Sequence, residues 1–175
     1  MILLSTTDFK GGKYDIPDSD GIYTGTYLQQ AIDRYEKIYI YKLLGVALGD
    51  LIITWLAASR SPANANYVKV VDGFSMDDAD CGGVIVSSGM KEYLKAAIFY
   101  EYVKNSLLTS QPAVIQPMAE KSTTQGPGST MRFAENKFNG VMNTIEAIQY
   151  YCELNSSAFP TFNGQEIKVK ASNIF

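Results

Sequence analysis

Between Gly89 and Asn155 the chain alternates apolar and polar positions in the manner of two long helices joined by a polar stretch rich in Gly and Pro. In the second helix, predicted from about Met131 to Asn155, Ala134, Phe138, Val141, Ile145, Ile148 and Cys152 recur at alternating spacings of four and three, which puts them on one stripe. The first helix opens at Gly89, runs to about Leu108 and offers that stripe Leu94, Ala97 and Ile98. It also carries Phe99 and Val103 on the opposite side and Tyr93 and Tyr100 on a flank. A helix apolar nearly all round is buried on more than one side. Tyr93, Phe99, Tyr100 and Val103 are therefore expected to be partly exposed on an isolated subunit and covered in an assembly.

Upstream, Leu28, Ile32, Tyr35, Tyr39 and Leu43 define one face of a helix that Thr24 or Thr26 can cap and Gly45 ends or kinks. A second helix is predicted over Val46 to Ala58, burying Leu48, Leu51, Ile52 and Trp55. After the Pro62 linker, Val68 and Val70 alternate with Lys69 before Asp72-Gly73, the local pattern of a strand entering a tight turn. Residues 1–23 read as an arm, with a short strand at Ile2 to Leu4 and loop-like Gly and Pro beyond. The stretch 109–130 is an uncommonly long connection, a loop or irregular hairpin. In the tail, Ile167 and Val169 alternate with Lys168 and Lys170, a pattern suited to adding a strand at a sheet edge.

Composition narrows the function classes. At 175 residues and 46% hydrophobic the chain can bury a core without staples, and a net charge of −3 provides no polybasic footprint for gripping nucleic acid. No window approaches a membrane span, the N-terminus is a poor match to a signal peptide, and the two cysteines are expected to be reduced thiols, so a cytosolic origin is expected. Twelve Tyr against eight Phe favour surfaces that are apolar on the body and wet at the tip. There is no histidine, which removes the commonest general base and most zinc sites.

Asp77, Asp78 and Asp80 are the best candidate metal cluster, and Asp78-Ala79-Asp80 begins like a calcium loop, but Gly82 and Gly89 stand at its fifth and twelfth positions, where a ligand and a bidentate Glu belong. A solvated turn is the expected reading. GPGST at 126–130 lacks the Lys of a phosphate loop. Glu101 falls on the most buried face of its helix and must find a partner, Arg132 or a lysine of this or a neighbouring chain. No catalytic residue, cofactor or metal is expected.

Three stretches carry a resemblance that covers most of the chain. Ile32, Tyr35, Glu36, Tyr39, Leu43, Leu44 and Gly45 match an I-x-x-Y-E-x-x-Y-L-x-x-L-L-G run, with Ile40 in the leucine position. Gly89, Met90, Lys91 and Leu94, then Tyr100, Tyr102, Val103, Lys104 and Asn105, match a G-(L/M)-K-x-x-L helix with an aromatic ending. Phe138-Asn139-Gly140-Val141-Met142 matches the start of a further helix, and Phe159-Pro160-Thr161-Phe162-Asn163-Gly164 an F-P-x-F-x-G tail. In these the chain resembles the head-to-tail connector (neck adaptor) proteins of tailed bacteriophages.

The resemblance implies a structural virion protein: a ring subunit, commonly one of twelve, that joins portal to tail in the virion neck after folding in the host cytoplasm. Its partners would be further copies of itself, the portal protein and tail or other neck proteins. DNA would pass through the channel without sequence-specific binding, and no membrane would be involved.

The fold expected is mainly α, a bundle of about four helices over 24–155 with the 109–130 loop inserted between the last two. Extended arms over 1–23 and 156–175 would flank it. Candidate subunit contacts are Tyr93, Phe99, Tyr100 and Val103 of the central helix with Phe159, Phe162, Ile167, Val169 and Phe175 of the C-terminal arm. The alternative is a cytosolic helical adaptor that binds a protein partner without forming a ring, and a distant third is a small enzyme using Glu101 or the Asp77 to Asp80 cluster.

Overall fold

The computed structural model describes residues 2–17, 22–77, 82–108 and 127–170. Asp78, Asp80, Cys81, Phe175 and residues 109–126 of the expected long loop lie outside them. The chain is mainly helical, with six α-helices and one short hairpin among the described residues: α1 (Ile22–Leu44), α2 (Val46–Ala57), α3 (Ala65–Asp72), β1 (Phe74–Asp77), β2 (Val84–Ser87), α4 (Gly89–Leu108), α5 (Pro127–Asn139) and α6 (Met142–Leu154).

The central helix α4 packs against α1, α3, α5 and α6. This overturns the expectation of exposure: Tyr93, Phe99, Tyr100 and Val103 are all buried within the single chain. Much of the cover comes from aromatic side chains of α5 and of the N-terminal segment. Phe138 of α5 meets Tyr93 and Tyr100 with ring centroids 6.3 and 5.8 Å apart, Phe133 meets Phe99 at 6.1 Å, and Tyr14 of the N-terminal segment meets Phe99 at 5.9 Å.

Both expected arms are docked. Leu4, Phe9, Tyr14 and Ile16 enter the core, and Thr6–Phe9 forms a 3-10 turn where Asp8 accepts from the Ser5 amide at 2.9 Å. At the other end Phe159 is buried, while the backbone amides of Asn163 and Gln165 donate to the carbonyls of Leu44 and Lys42. Gly45 separates α1 from α2 with φ +81, and a Cβ there would lie 2.7 Å from the Asn163 carbonyl oxygen. Asn139 closes the tail, donating to the Lys170 carbonyl and accepting from the Lys170 amide, both at 2.8 Å.

Three expectations are corrected. Helix α1 begins at Ile22, so Thr24 and Thr26 lie inside its first turns rather than capping it. The Val68 to Val70 stretch is helix α3, because the Asn64 side chain accepts from the amides of Asn66 and Tyr67 and caps a helix that buries Val70 and Val71. Asp72-Gly73 is therefore a helix end, with Gly73 at φ +107, and the strand begins at Phe74. The single helix expected after Met131 is two, α5 beginning early at Pro127 and ending at Asn139-Gly140. All six stripe residues are nevertheless buried across the break.

The base of the hairpin is pinched between two glycines. Gly89 has φ +84, and a Cβ on it would meet the Val71 carbonyl oxygen at 2.5 Å, whereas a Cβ on Gly11 at φ +76 would meet nothing within 4 Å. Gly11→Ala is expected to cost only the left-handed backbone strain, about 1 kcal/mol, whereas Gly89→Ala must also displace backbone and should cost clearly more. Paired chemical denaturation of the two variants checks the difference.

Candidate functional site

Three carboxylates are buried among the described residues, Glu101, Glu36 and Glu135, and the first two tie distant parts of the chain together. Glu101, near the C-terminal half of α4, accepts from the Tyr39 hydroxyl of α1 at 2.6 Å, and Lys104 stands one turn on with its ammonium 3.9 Å away. The partner is thus a tyrosine and a lysine of the same chain. Burial first, and then the Glu101 carboxylate, push the Tyr39 hydroxyl far above the usual tyrosine range, so it remains a donor. Lys170 lies over the Tyr100 and Phe138 rings at 5.3 Å, and its pKa is lowered by burial and then by Lys42, with Glu101 acting in the opposite sense.

The second carboxylate, Glu36, holds the start of the chain. Its oxygens accept from the amides of Ile2, Leu3 and Leu4 at 2.8, 2.7 and 2.7 Å. The expected strand at Ile2 to Leu4 is therefore a segment whose hydrogen bonds go to a side chain rather than to a sheet. Periodicity offered the signal: Glu36 lies four residues after the buried Ile32, on the core face of α1, as Glu101 does on α4. Nearby, Lys91 pairs with Asp8 at 2.8 Å. Burial acts to raise the Asp8 pKa, but the Lys91 and Ser5 hydrogen bonds outweigh it and leave the carboxyl below its ordinary value.

These arrangements anchor chain rather than present reactive groups. The Tyr93 hydroxyl is buried without a hydrogen-bond partner among the described residues, and burial pushes the Cys152 thiol up to about 12, which suppresses thiolate. Among the described residues no three His, Cys, Asp or Glu side chains converge on a metal-sized site, and no helix is long and apolar enough to cross a membrane.

Of the expected contact residues in the tail, Phe159 is buried against Tyr67 and Tyr151, with ring centroids 6.1 and 5.9 Å apart. Phe162 and Ile167 are half-buried against the core, and Val169 is 61% exposed. The apolar surface left uncovered lies mostly elsewhere. Helix α2, VALGDLIITWLA, has one charged residue in its 12, yet Val46 is 61% and Leu51 49% exposed, with Ala47, Thr54 and Ala57 also exposed. Leu51 was expected to be buried. Only the Leu48, Ile52 and Trp55 side of α2 meets the core, against α1 and, at Trp55, against Tyr67 of α3 with ring centroids 5.5 Å apart.

A second uncovered surface is the hairpin. Its pairing places Ser75 opposite Val86 and Asp77 opposite Val84, so these four share the outward face, with Val84 and Val86 63% and 61% exposed. A third is a hollow of about 300 Å3 at the seam of α1 and α4, walled by Tyr27, Tyr35 and Tyr102 with Arg34 at its rim. No protein-family model, curated protein or solved structure matches the chain.

The Glu36 clamp yields a first expected outcome. Glu36→Ala leaves three backbone amides without their acceptor and should cost about 3 kcal/mol, with protease cleavage appearing first between residues 10 and 17. Limited proteolysis followed by mass spectrometry reads both the site and the rate. Asp8 adds a pH dependence: a carboxyl depressed in the folded state contributes stability that is complete above its unfolded value, about pH 4. That contribution is lost as the pH falls through the lower folded value, so acid should loosen the N-terminal segment less in Asp8→Asn than in the parent.

Proposed function

We propose that the chain is a structural subunit of a tailed-bacteriophage neck, a member of a ring that joins the portal to the tail around the DNA channel. The observation that carries this reading is the outer face of α2. An isolated exposed leucine is ordinary, but a helix with one charge and a run of exposed apolar positions is a surface built for contact. The excess apolar perimeter thus lies on α2 and not on α4, where the core is already closed by the chain itself. Surface complementarity is the activity such a protein performs, and the buried carboxylates serve the rigidity it requires.

The motif positions add support through the work they do. Ile32 and Leu43 are buried, Glu36 clamps the N-terminal segment, Tyr39 holds Glu101, and Gly45 admits the tail at the α1–α2 corner. In a closed ring one patch binds a different patch on the next copy, and the portal adds a further contact.

The test is mass by light scattering and negative-stain electron microscopy of the purified chain, alone and mixed with a tailed-phage portal protein. Ring-sized particles or portal-capped complexes are expected, and Leu51→Gln should weaken the portal-capped complexes about tenfold without lowering the melting temperature. A strict monomer that leaves portal untouched overturns the proposal. A one-to-one complex with another protein would point instead to a helical adaptor that forms no ring.

A further inference from the structure

The α1–α4 groove and the hairpin are complementary, and they lie at opposite ends of α4. Gly89, at the hairpin base, and Tyr102, in the groove wall, are 13 positions apart on one helix, or about 20 Å along its axis. A groove at one end and the exposed face of a hairpin at the other are too far apart to meet within one chain. They can do so between successive copies, head to tail.

The chemistry of the two surfaces agrees with that geometry. In the groove the Arg34 guanidinium lies 5.3 Å from the Tyr35 ring centroid and has no acidic partner among the described residues. Asn105 donates to the Tyr35 hydroxyl at 3.2 Å and fixes that wall. Tyrosine faces with one free guanidinium form the composition that dominates binding energy at protein contacts. The hairpin offers the reverse. No Lys or Arg occurs between Lys69 and Lys91, a run that contains Asp72, Asp77, Asp78 and Asp80, and of these Asp72 is already paired with Arg60 at 2.5 Å. Asp77 stands on the same outward face as Val84 and Val86, so a single approach presents a carboxylate and two apolar side chains together.

We propose that the β1–β2 hairpin of one copy docks into the α1–α4 groove of the next, Asp77 reaching Arg34 and Val84 and Val86 lying on the tyrosine walls. This rests on the ring reading and names the self-contact that builds the ring. It assigns the copy-to-copy contact to the hairpin and groove and leaves the α2 face for the neighbouring proteins of the neck.

The experiment is sedimentation and light scattering of the full chain over a concentration series, with Arg34→Glu, Asp77→Lys and the two combined. Both positions are exposed, so melting temperatures should match the parent and serve as the folding control. Each single reversal should weaken self-association about tenfold or more, and the double reversal should restore it. A photo-crosslinking amino acid in place of Tyr27 should capture the 74–87 peptide of an isotopically labelled second copy. If the parent assembles and both single variants assemble equally well, or crosslinks fall only elsewhere, the hairpin contact is wrong and the ring reading stands. If the parent neither self-associates nor binds portal, both are overturned.

Discussion

The structure depends on burying α4 on most of its sides. A helix apolar nearly all round cannot rest on one partner, and several angles of approach must be filled by something the chain supplies. Helices α1, α3, α5 and α6 fill most of it, and Tyr14 from the N-terminal segment completes the contact at Phe99. The described segments flanking the bundle, around Leu4 to Ile16 and at Phe159, are therefore components of the core. That requirement accounts for Leu4, Phe9, Tyr14 and Ile16 at one end and Phe159 at the other being as buried as any helical residue.

Docking irregular segments onto a helical bundle raises a second constraint, since their backbone amides cannot all find partners in a ladder. The chain meets it with side chains and with paired glycines. Glu36 takes three amides, Asn139 takes both backbone groups of Lys170, and Gln149 donates to the carbonyls of Leu43 and Gln165. Gly45 and Gly164 allow tail and corner to approach so closely that a Cβ on Gly164 would lie 2.3 Å from the Leu43 carbonyl oxygen. Polar residues at the seams hold what apolar residues bring together.

Much of the helical content was legible because its signal is local. Both bounds of α4 follow from Gly89 and the apolar run, the α1–α2 break follows from Gly45, and the stripe from Ala134 to Cys152 marks buried positions whether or not the helix is continuous. What was not legible is relational. Alternation at Val68 to Val70 fits a strand until the Asn64 cap turns it into a helix, and four residues are too few for period alone to decide. The exposure of an apolar face depends on which distant segment covers it, so Tyr93, Phe99, Tyr100 and Val103 of α4 were read as partly open and Leu51 of α2 as buried when the reverse holds, while Leu48, Ile52 and Trp55 are buried as expected. Glu36 shows the difference: its place on a core stripe is local information, whereas its three acceptances from the first residues are not.

The manner in which Glu36 grips the start of the chain has a consequence of its own. The carboxylate reads main-chain N–H groups, which every residue but proline provides, so the grip is blind to side-chain identity at positions 2 and 3. Side-chain identity there counts through packing instead, since Ile2 and Leu3 are half-buried against the core. Leu4, fully buried, ties the register of that segment most firmly to the letters that encode it, because the clamp alone would accept a shift by one residue.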